Sequence, residues 1–313
     1  MPSPTRLDWL TLAALGLMFG ASFMGVSVAL QGFGPFTIAA VRIALGAVIL
    51  VTFAKISGRR MPALSAPNGP AIWASAIAMG AFSNAVPFFL LGWAQAHVAS
   101  GFAGVSMAAM PLITLVLAHF LIAEERITLR RLIGILIGFI GVLVLIGPSA
   151  FESTGQVMEN TARLVCLAAG ACYAIGSIVA RLCPDVDRRA FAATTLVAAT
   201  VMIVPVALWQ EAPPTQAPST LPTLSLILLG IFPTALAQIL LVILVRRAGP
   251  TFLSLVNYQV PLWAIFLGAA LLGEDLPSSL IWAMGLILIG VAVSQLGALS
   301  RLFAKAPTEN NPT

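Results

Sequence analysis

Residues 99–124 read ASGFAGVSMAAMPLITLVLAHFLIAE, and residues 249–274 read GPTFLSLVNYQVPLWAIFLGAALLGE. At an offset of 150 the two stretches match Phe102 with Phe252, Pro111 with Pro261, Leu112 with Leu262, Leu117 with Leu267, Leu121 with Leu271 and Glu124 with Glu274. Self-similarity at a fixed offset is the mark of an internal repeat, and a repeat governs the fold wherever it occurs. The register continues upstream without a gap. Gly20, Ala21 and Ser27 meet Gly170, Ala171 and Ser177, Phe23 meets Tyr173, and Gly80 and Phe82 meet Gly230 and Phe232. The chain reads as two homologous halves, residues 1–150 and 151–313.

The composition places both halves in a membrane. Apolar residues make up 59% of the chain and charged ones 9%, with a mean hydropathy of +1.01, whereas soluble domains carry about 25% charged residues. A helix needs about 20 mostly apolar residues to cross the hydrocarbon core. Ten stretches qualify or nearly so: Leu10–Leu30, Pro35–Ile56, Pro70–Trp93, Ala99–Ala123, Leu132–Pro148, Ala162–Leu182, Ala190–Trp209, Thr223–Val245, Thr251–Leu272 and Leu280–Leu299. The expected fold is an all-α integral membrane protein of ten transmembrane helices. Five spans per half is an odd number, so the second half inserts the other way up. Such inverted repeats place a site near the bilayer midplane, between halves that rock against each other.

The net charge of +5 follows from topology and calls for no nucleic acid. With the N-terminus inside, 14 of the 16 basic residues fall in cytoplasmic segments, as the positive-inside rule requires. Arg163 is assigned to an outside loop, and Arg42 lies within the second span. Both termini are expected in the cytoplasm. The three cysteines, Cys166, Cys172 and Cys183, have no metal-ligand spacing, and neither a disulfide framework nor a metal site is expected. There is no HExxH, CxxC or GxxxxGK[ST] and no pair of carboxylates at membrane depth, so neither an enzyme nor a cofactor is expected.

Candidate site residues come from polar and aromatic groups that recur at matched depth. Gly16, Gly20, Phe23 and Ser27 share one face of the first span and have Cys166, Gly170, Tyr173 and Ser177 as counterparts. The glycines suit close helix packing, while Phe23 and Tyr173 are candidates for a cavity wall. Asn84 and Pro87 in the third span, and Pro233, Thr234 and Gln238 in the eighth, combine a helix-weakening proline with polar side chains. A proline deprives a carbonyl of its N–H partner, and lipid tolerates such breaks where water or neighbouring protein satisfies the backbone. The matched prolines Pro111 and Pro261 break spans four and nine. Asn257, Tyr258 and Trp263 give one wall hydrogen-bonding and stacking groups, where the opposite wall carries Met107 and Ala108.

Arg42 has no carboxylate within any span to pair with. An intramembrane arginine is a functional candidate, and the two readings are a group that attracts a substrate carboxylate or gates, and a side chain that snorkels to the outer interface or caps a neighbouring helix end through backbone carbonyls. Glu124 and Glu274 follow spans four and nine and are expected to be solvated helix-end residues that fix the next turn, with gating as the alternative. The proline-rich stretch 210–222 is expected to be an outside connector.

Ten spans in two inverted halves, Phe19-Gly20-Ala21-Ser22-Phe23, Arg42, and the Pro111 to Glu124 and Pro261 to Glu274 pairs resemble the EamA family of the drug/metabolite transporter superfamily. Ala123 stands where that family often has glycine, as Gly273 does. The resemblance implies a bacterial inner-membrane exporter with a central cavity, and the aromatic amino-acid exporters of that family, with broad neutral substrates, are the nearest in character. The expected function is export of amino acids and related metabolites by alternating access. Coupling is expected to be weak because no acid lies in mid-span. The alternative is efflux of lipophilic cations, disfavoured by the absence of an acidic residue from the first span. The internal two-fold makes a monomer sufficient.

Overall fold

The computed structural model describes residues 4–122, 127–146, 157–211, 218–275 and 277–303, and these contain helices and turns without a strand. Ten helices span them: α1 (Arg6–Ala29), α2 (Pro35–Ile56), α3 (Gly69–Gln95), α4 (Ser100–Leu121), α5 (Leu129–Ile146), α6 (Val157–Leu182), α7 (Arg188–Gln210), α8 (Thr220–Gly249), α9 (Val256–Leu272) and α10 (Ser278–Phe303). Nine are long and apolar enough to cross a bilayer, while α9 has 17 residues, or about 25 Å at 1.5 Å per residue. Span nine is shorter than expected because the chain turns at Ser254 and Leu255 before α9 begins. Pro222, expected in the loop, lies inside the first turn of α8.

The packing has the pairing that inverted halves demand. Helices α2 and α7, and α5 and α10, pack on their own counterparts, and the pairs α1–α9 and α2–α8 recur as α6–α4 and α7–α3. Backbones touch along α5 and α10, where a Cβ on Gly134 would stand 2.5 Å from the Gly290 carbonyl oxygen and one on Gly290 2.5 Å from the Gly138 nitrogen. In lipid there is little hydrophobic drive between helices, so close van der Waals approach through small residues does the holding. The same logic explains Gly16 and Gly20: a Cβ at Gly16 would lie 2.7 Å from Gln259, and one at Gly20 3.0 Å from the Val260 carbonyl oxygen on α9.

The two ends of the bundle differ in charge. At one, called here the basic end, Asp187 caps α7 by accepting from Arg189 N at 3.0 Å and Ala190 N at 3.2 Å. Arg59 and Arg246 approach the same carboxylate at 3.5 and 3.7 Å. Partial burial works against the Asp187 charge, but the two backbone N–H groups and the two guanidiniums outweigh it and hold this carboxyl below its usual range. At the opposite end Glu211 reaches from the end of α7 to the start of α2, accepting from Phe36 N at 2.9 Å and Thr37 N at 2.8 Å. Pro35 occupies the first turn of α2, where its missing N–H costs nothing. Carboxylates seated on orphan N–H groups and positive helix ends therefore fasten the α2–α7 pair at both ends.

Candidate functional site

Four helices around the centre leave regular α-geometry at matched depths. Residues Ala81–Ala85 of α3 and Gly230–Leu236 of α8 form π-helical turns, a geometry concentrated at functional positions. In α8 the cause is visible: Pro233 has no N–H to offer the Leu229 carbonyl, and the Thr234 hydroxyl donates to it instead at 2.8 Å. In α3 the counterpart side chain does the same, with Asn84 Nδ2 donating to the Met79 carbonyl at 3.4 Å. Asn84 is 4% and Thr234 2% exposed, so the two polar groups are enclosed and occupied by backbone. Helix α4 tightens to a 3-10 turn at Met107–Ala109, just before Pro111. Ahead of Pro261 the same tightening recurs, with Asn257 N bonding Ser254 O at 3.1 Å and Tyr258 N bonding Leu255 O at 3.2 Å.

Arg42 reaches from α2 onto the α8 break. Its Nε donates to Thr234 Oγ1 at 3.2 Å, and its guanidinium lies over the Phe88 ring at 3.8 Å from the centroid, a cation–π placement. Tyr173 of α6 stands within electrostatic reach of it. Arg42 is 5% exposed, which overturns the snorkelling reading: the charge is inside the protein, not at the interface. No carboxylate pairs with it among the described residues. Its two terminal nitrogens have no hydrogen-bond partner there either, and they are not among the polar atoms sealed from solvent.

Nearer the opposite end an apolar plug closes the centre. Phe23 of α1, Leu91 and Ala94 of α3, Ala103 of α4 and Ala264 of α9 are buried together, with Tyr173 and Trp93 packed alongside. Helices α4 and α9 press together at this end, where Gly104 sits against Ala264 and Gly101 against Ile265. Glu274 locks the contact by accepting from Ser100 N at 2.7 Å and Gly101 N at 3.0 Å. Glu274 is thus not a solvated end residue; it caps a helix of the other half. Glu124 lies outside the described residues.

Toward the basic end the same two helices part. The Met110–Leu121 segment of α4 packs on α6, whereas Phe252 and Val256, leading into α9, pack with Leu12 and Leu15 of α1 and Leu244 of α8. The symmetric packing of α1 on the start of α4 also has no comparable partner between α6 and α9 among the described residues. The centre is closed at the opposite end and parted at the basic end.

The other expected site residues scatter around this axis. Trp263 backs onto Gly20 and meets Phe266 edge-on at 6.1 Å. Asn257 is half-buried on the tightened turn. Tyr258 packs beside the α4, α5 and α10 cluster, with a hydroxyl that has no hydrogen-bond partner among the described residues. Gln238 borders a small crevice with Leu50, Phe53, Arg189 and Ala192 between α2, α7 and α8, apart from the Arg42 group. Sequence reasoning missed Phe88 and Glu211. Phe88 had a signal, since it follows Pro87 at the depth of Arg42; nothing in the neighbourhood of Glu211 pointed to residue 36.

Comparison with known proteins agrees with this architecture. The sequence model of the EamA-like transporter family matches residues 8–147 and again 160–295. The inner membrane transporter YedA of Escherichia coli K12, itself described as uncharacterized, is 28% identical over 292 residues, covering 91% of this chain and 90% of its own. An uncharacterized transporter of Archaeoglobus fulgidus is 24% identical over 297 residues, covering 91% and 97%. A crystal structure superposes with a TM-score of 0.65 at 20% identity, over 93% of this chain and 98% of the other, a likeness of fold. Matched twice along its length, and built of two interlocked sets of five helices, the chain belongs to the EamA-like transporter family.

Proposed function

We propose that this chain is a multi-pass exporter of the bacterial inner membrane that moves amino acids and related small metabolites, with broad specificity, by alternating access. The supporting observation is the α4–α9 pair, clasped by Glu274 at the opposite end and parted at the basic end. The positive-inside rule puts the basic end in the cytoplasm, and on this reading the carrier loads from inside. Phe23, Tyr173 and Trp263 offer apolar and aromatic surface to a side chain and Asn257 a half-buried polar group, while Asn84 and Thr234 hold the breaks of α3 and α8 at midplane depth. Every acidic residue among those described lies at a helix end or in a loop, which favours facilitated transport over carboxylate-based proton exchange.

The test is uptake of labelled threonine, methionine and phenylalanine into proteoliposomes, with and without an imposed pH gradient. Uptake without a gradient is the expected result. Proton movement in fixed stoichiometry with export would overturn the weak-coupling reading, and transport of lipophilic cations in place of amino acids would overturn the substrate class.

A further inference from the structure

We propose that Arg42 is the anchor for a carboxylate on the transported solute, so that the acid group, rather than the ammonium of an amino acid, is what the site requires. The proposal rests on the amino-acid reading for the choice of probe but is separable from it. Its basis is a mismatch within the protein. A guanidinium has five N–H donors; here Nε serves Thr234 and one face covers Phe88, and the outer edge with both terminal nitrogens has no partner among the described residues. That edge is the one that binds a carboxylate through two parallel hydrogen bonds.

The surroundings make this guanidinium edge chemically selective. Burying a cation without a counter-ion is unfavourable, and the usual remedy is an acidic side chain close by. Here the position that would mirror Arg42 is Ala192, no acid stands in mid-span among the described residues, and the neighbours are Phe88, Thr234 and Tyr173, all uncharged. A carboxylate arriving with the solute supplies the missing charge. An amine arriving alone would place a second cation beside the first. The Thr234 hydroxyl gives its proton to the Leu229 carbonyl and accepts from Arg42 Nε, but it is neutral and supplies none of the missing charge. The Arg42–Thr234 bond ties the anchor to the π-turn of α8, so the charge sits on one of the irregular segments between the halves.

The experiment is competition against labelled phenylalanine in proteoliposomes of the full chain, using phenylalanine, 3-phenylpropionate, phenylalaninamide and phenethylamine. The expected result is that both acids compete within about tenfold of each other, while the amide and the amine do not. Arg42→Gln should raise the half-saturation of both acids by at least about 30-fold, and Arg42→Lys, which keeps the charge but not the fork, by a smaller factor. Equal competition by phenylalanine and its amide would overturn the anchor and leave the amino-acid reading intact. Transport of 3-phenylpropionate without any amino acid would sustain the anchor and overturn that reading. Replacing sodium chloride by iso-osmotic mannitol should not raise the half-saturation; a chloride requirement would make this an inorganic-anion site and overturn the proposal. Should Arg42→Gln fail to fold, the wild-type competition series still decides.

Discussion

The clasp formed by Glu274 should set how much of the time the opposite end is shut. Its carboxylate takes two backbone N–H groups, from Ser100 at 2.7 Å and Gly101 at 3.0 Å, at the positive end of α4. Hydrogen bonds to a charged acceptor are worth about 1.5–3 kcal/mol each, less what water returns when they break. Glu274→Ala should therefore weaken closure by about 2 kcal/mol, which shifts the balance between closed and open opposite ends roughly 30-fold. Glu274→Gln, which keeps one acceptor, should shift it by about 1 kcal/mol, or roughly fivefold. The readout is modification of a cysteine placed at Ala103, a fully buried position in the plug, in a chain freed of Cys166, Cys172 and Cys183. A membrane-impermeant maleimide applied from the side opposite the basic end should react faster in the order wild type, Glu274→Gln, Glu274→Ala. Gly268→Ala gives an independent route to the same state, because a Cβ there collides with the Glu274 carboxylate and stands 2.9 Å from Ser100 Oγ. Unchanged labelling in all three variants would refute the clasp.

Three further outcomes are expected. Gly20→Leu should lower stability by about 1–3 kcal/mol through overpacking, since its Cβ would meet the Val260 backbone at 3.0 Å; a thermal melt in detergent checks it, and an unchanged midpoint would mean that the α1–α9 crossing is looser than described. Asp187→Asn should destabilise at neutral pH. Because the folded carboxyl is held below its usual range, its contribution is present above the unfolded value of about 3.9 and fades as pH falls through the folded one. The difference from wild type should therefore shrink in melts below about pH 4. Glu211→Ala frees the N–H groups of Phe36 and Thr37 and should cost about 1–2 kcal/mol as a lost cap, again read by melting.

The offset of 150 carried most of the fold. Identical residues such as Pro111 and Pro261 could be paired from sequence because a break in a span needs proline chemistry whichever way up the half inserts. The π-turns lay beyond the sequence, since they depend on side chains as different as Asn84 and Thr234 bonding the carbonyl five residues back. Of the site, Arg42 was legible as a charge without a partner, while its destination was not: burial against Phe88 and Thr234 is decided by helices 46 and 192 residues away. Glu274 shows the same limit. Sequence placed it at the end of its own span, but an ionised carboxylate is satisfied by whatever N–H groups lie nearest in space, and those belong to α4. Gln238 was grouped with Thr234 by helical spacing, yet a turn of π-helix between α8 segments changes which residues share a face, and it borders a different crevice.

The lone charge on Arg42 also makes the carrier sensitive to voltage. A full elementary charge crossing the membrane potential is worth about 2.3 kcal/mol per 100 mV, and an empty carrier with an uncompensated arginine must carry some fraction of that charge when it turns. If the basic end faces the negative cytoplasmic side, as proposed above, the field draws the empty form toward the arrangement parted at that end. A monocarboxylate such as 3-phenylpropionate neutralises Arg42 and lets the loaded form turn without electrical work, whereas a zwitterionic amino acid brings its own ammonium and leaves the loaded form with the net charge of the empty one. The resting potential therefore speeds the return of the empty carrier and resists the outward turn of a zwitterion-loaded one by the same amount, so voltage drives net export only of solutes whose carboxylate has no compensating cation.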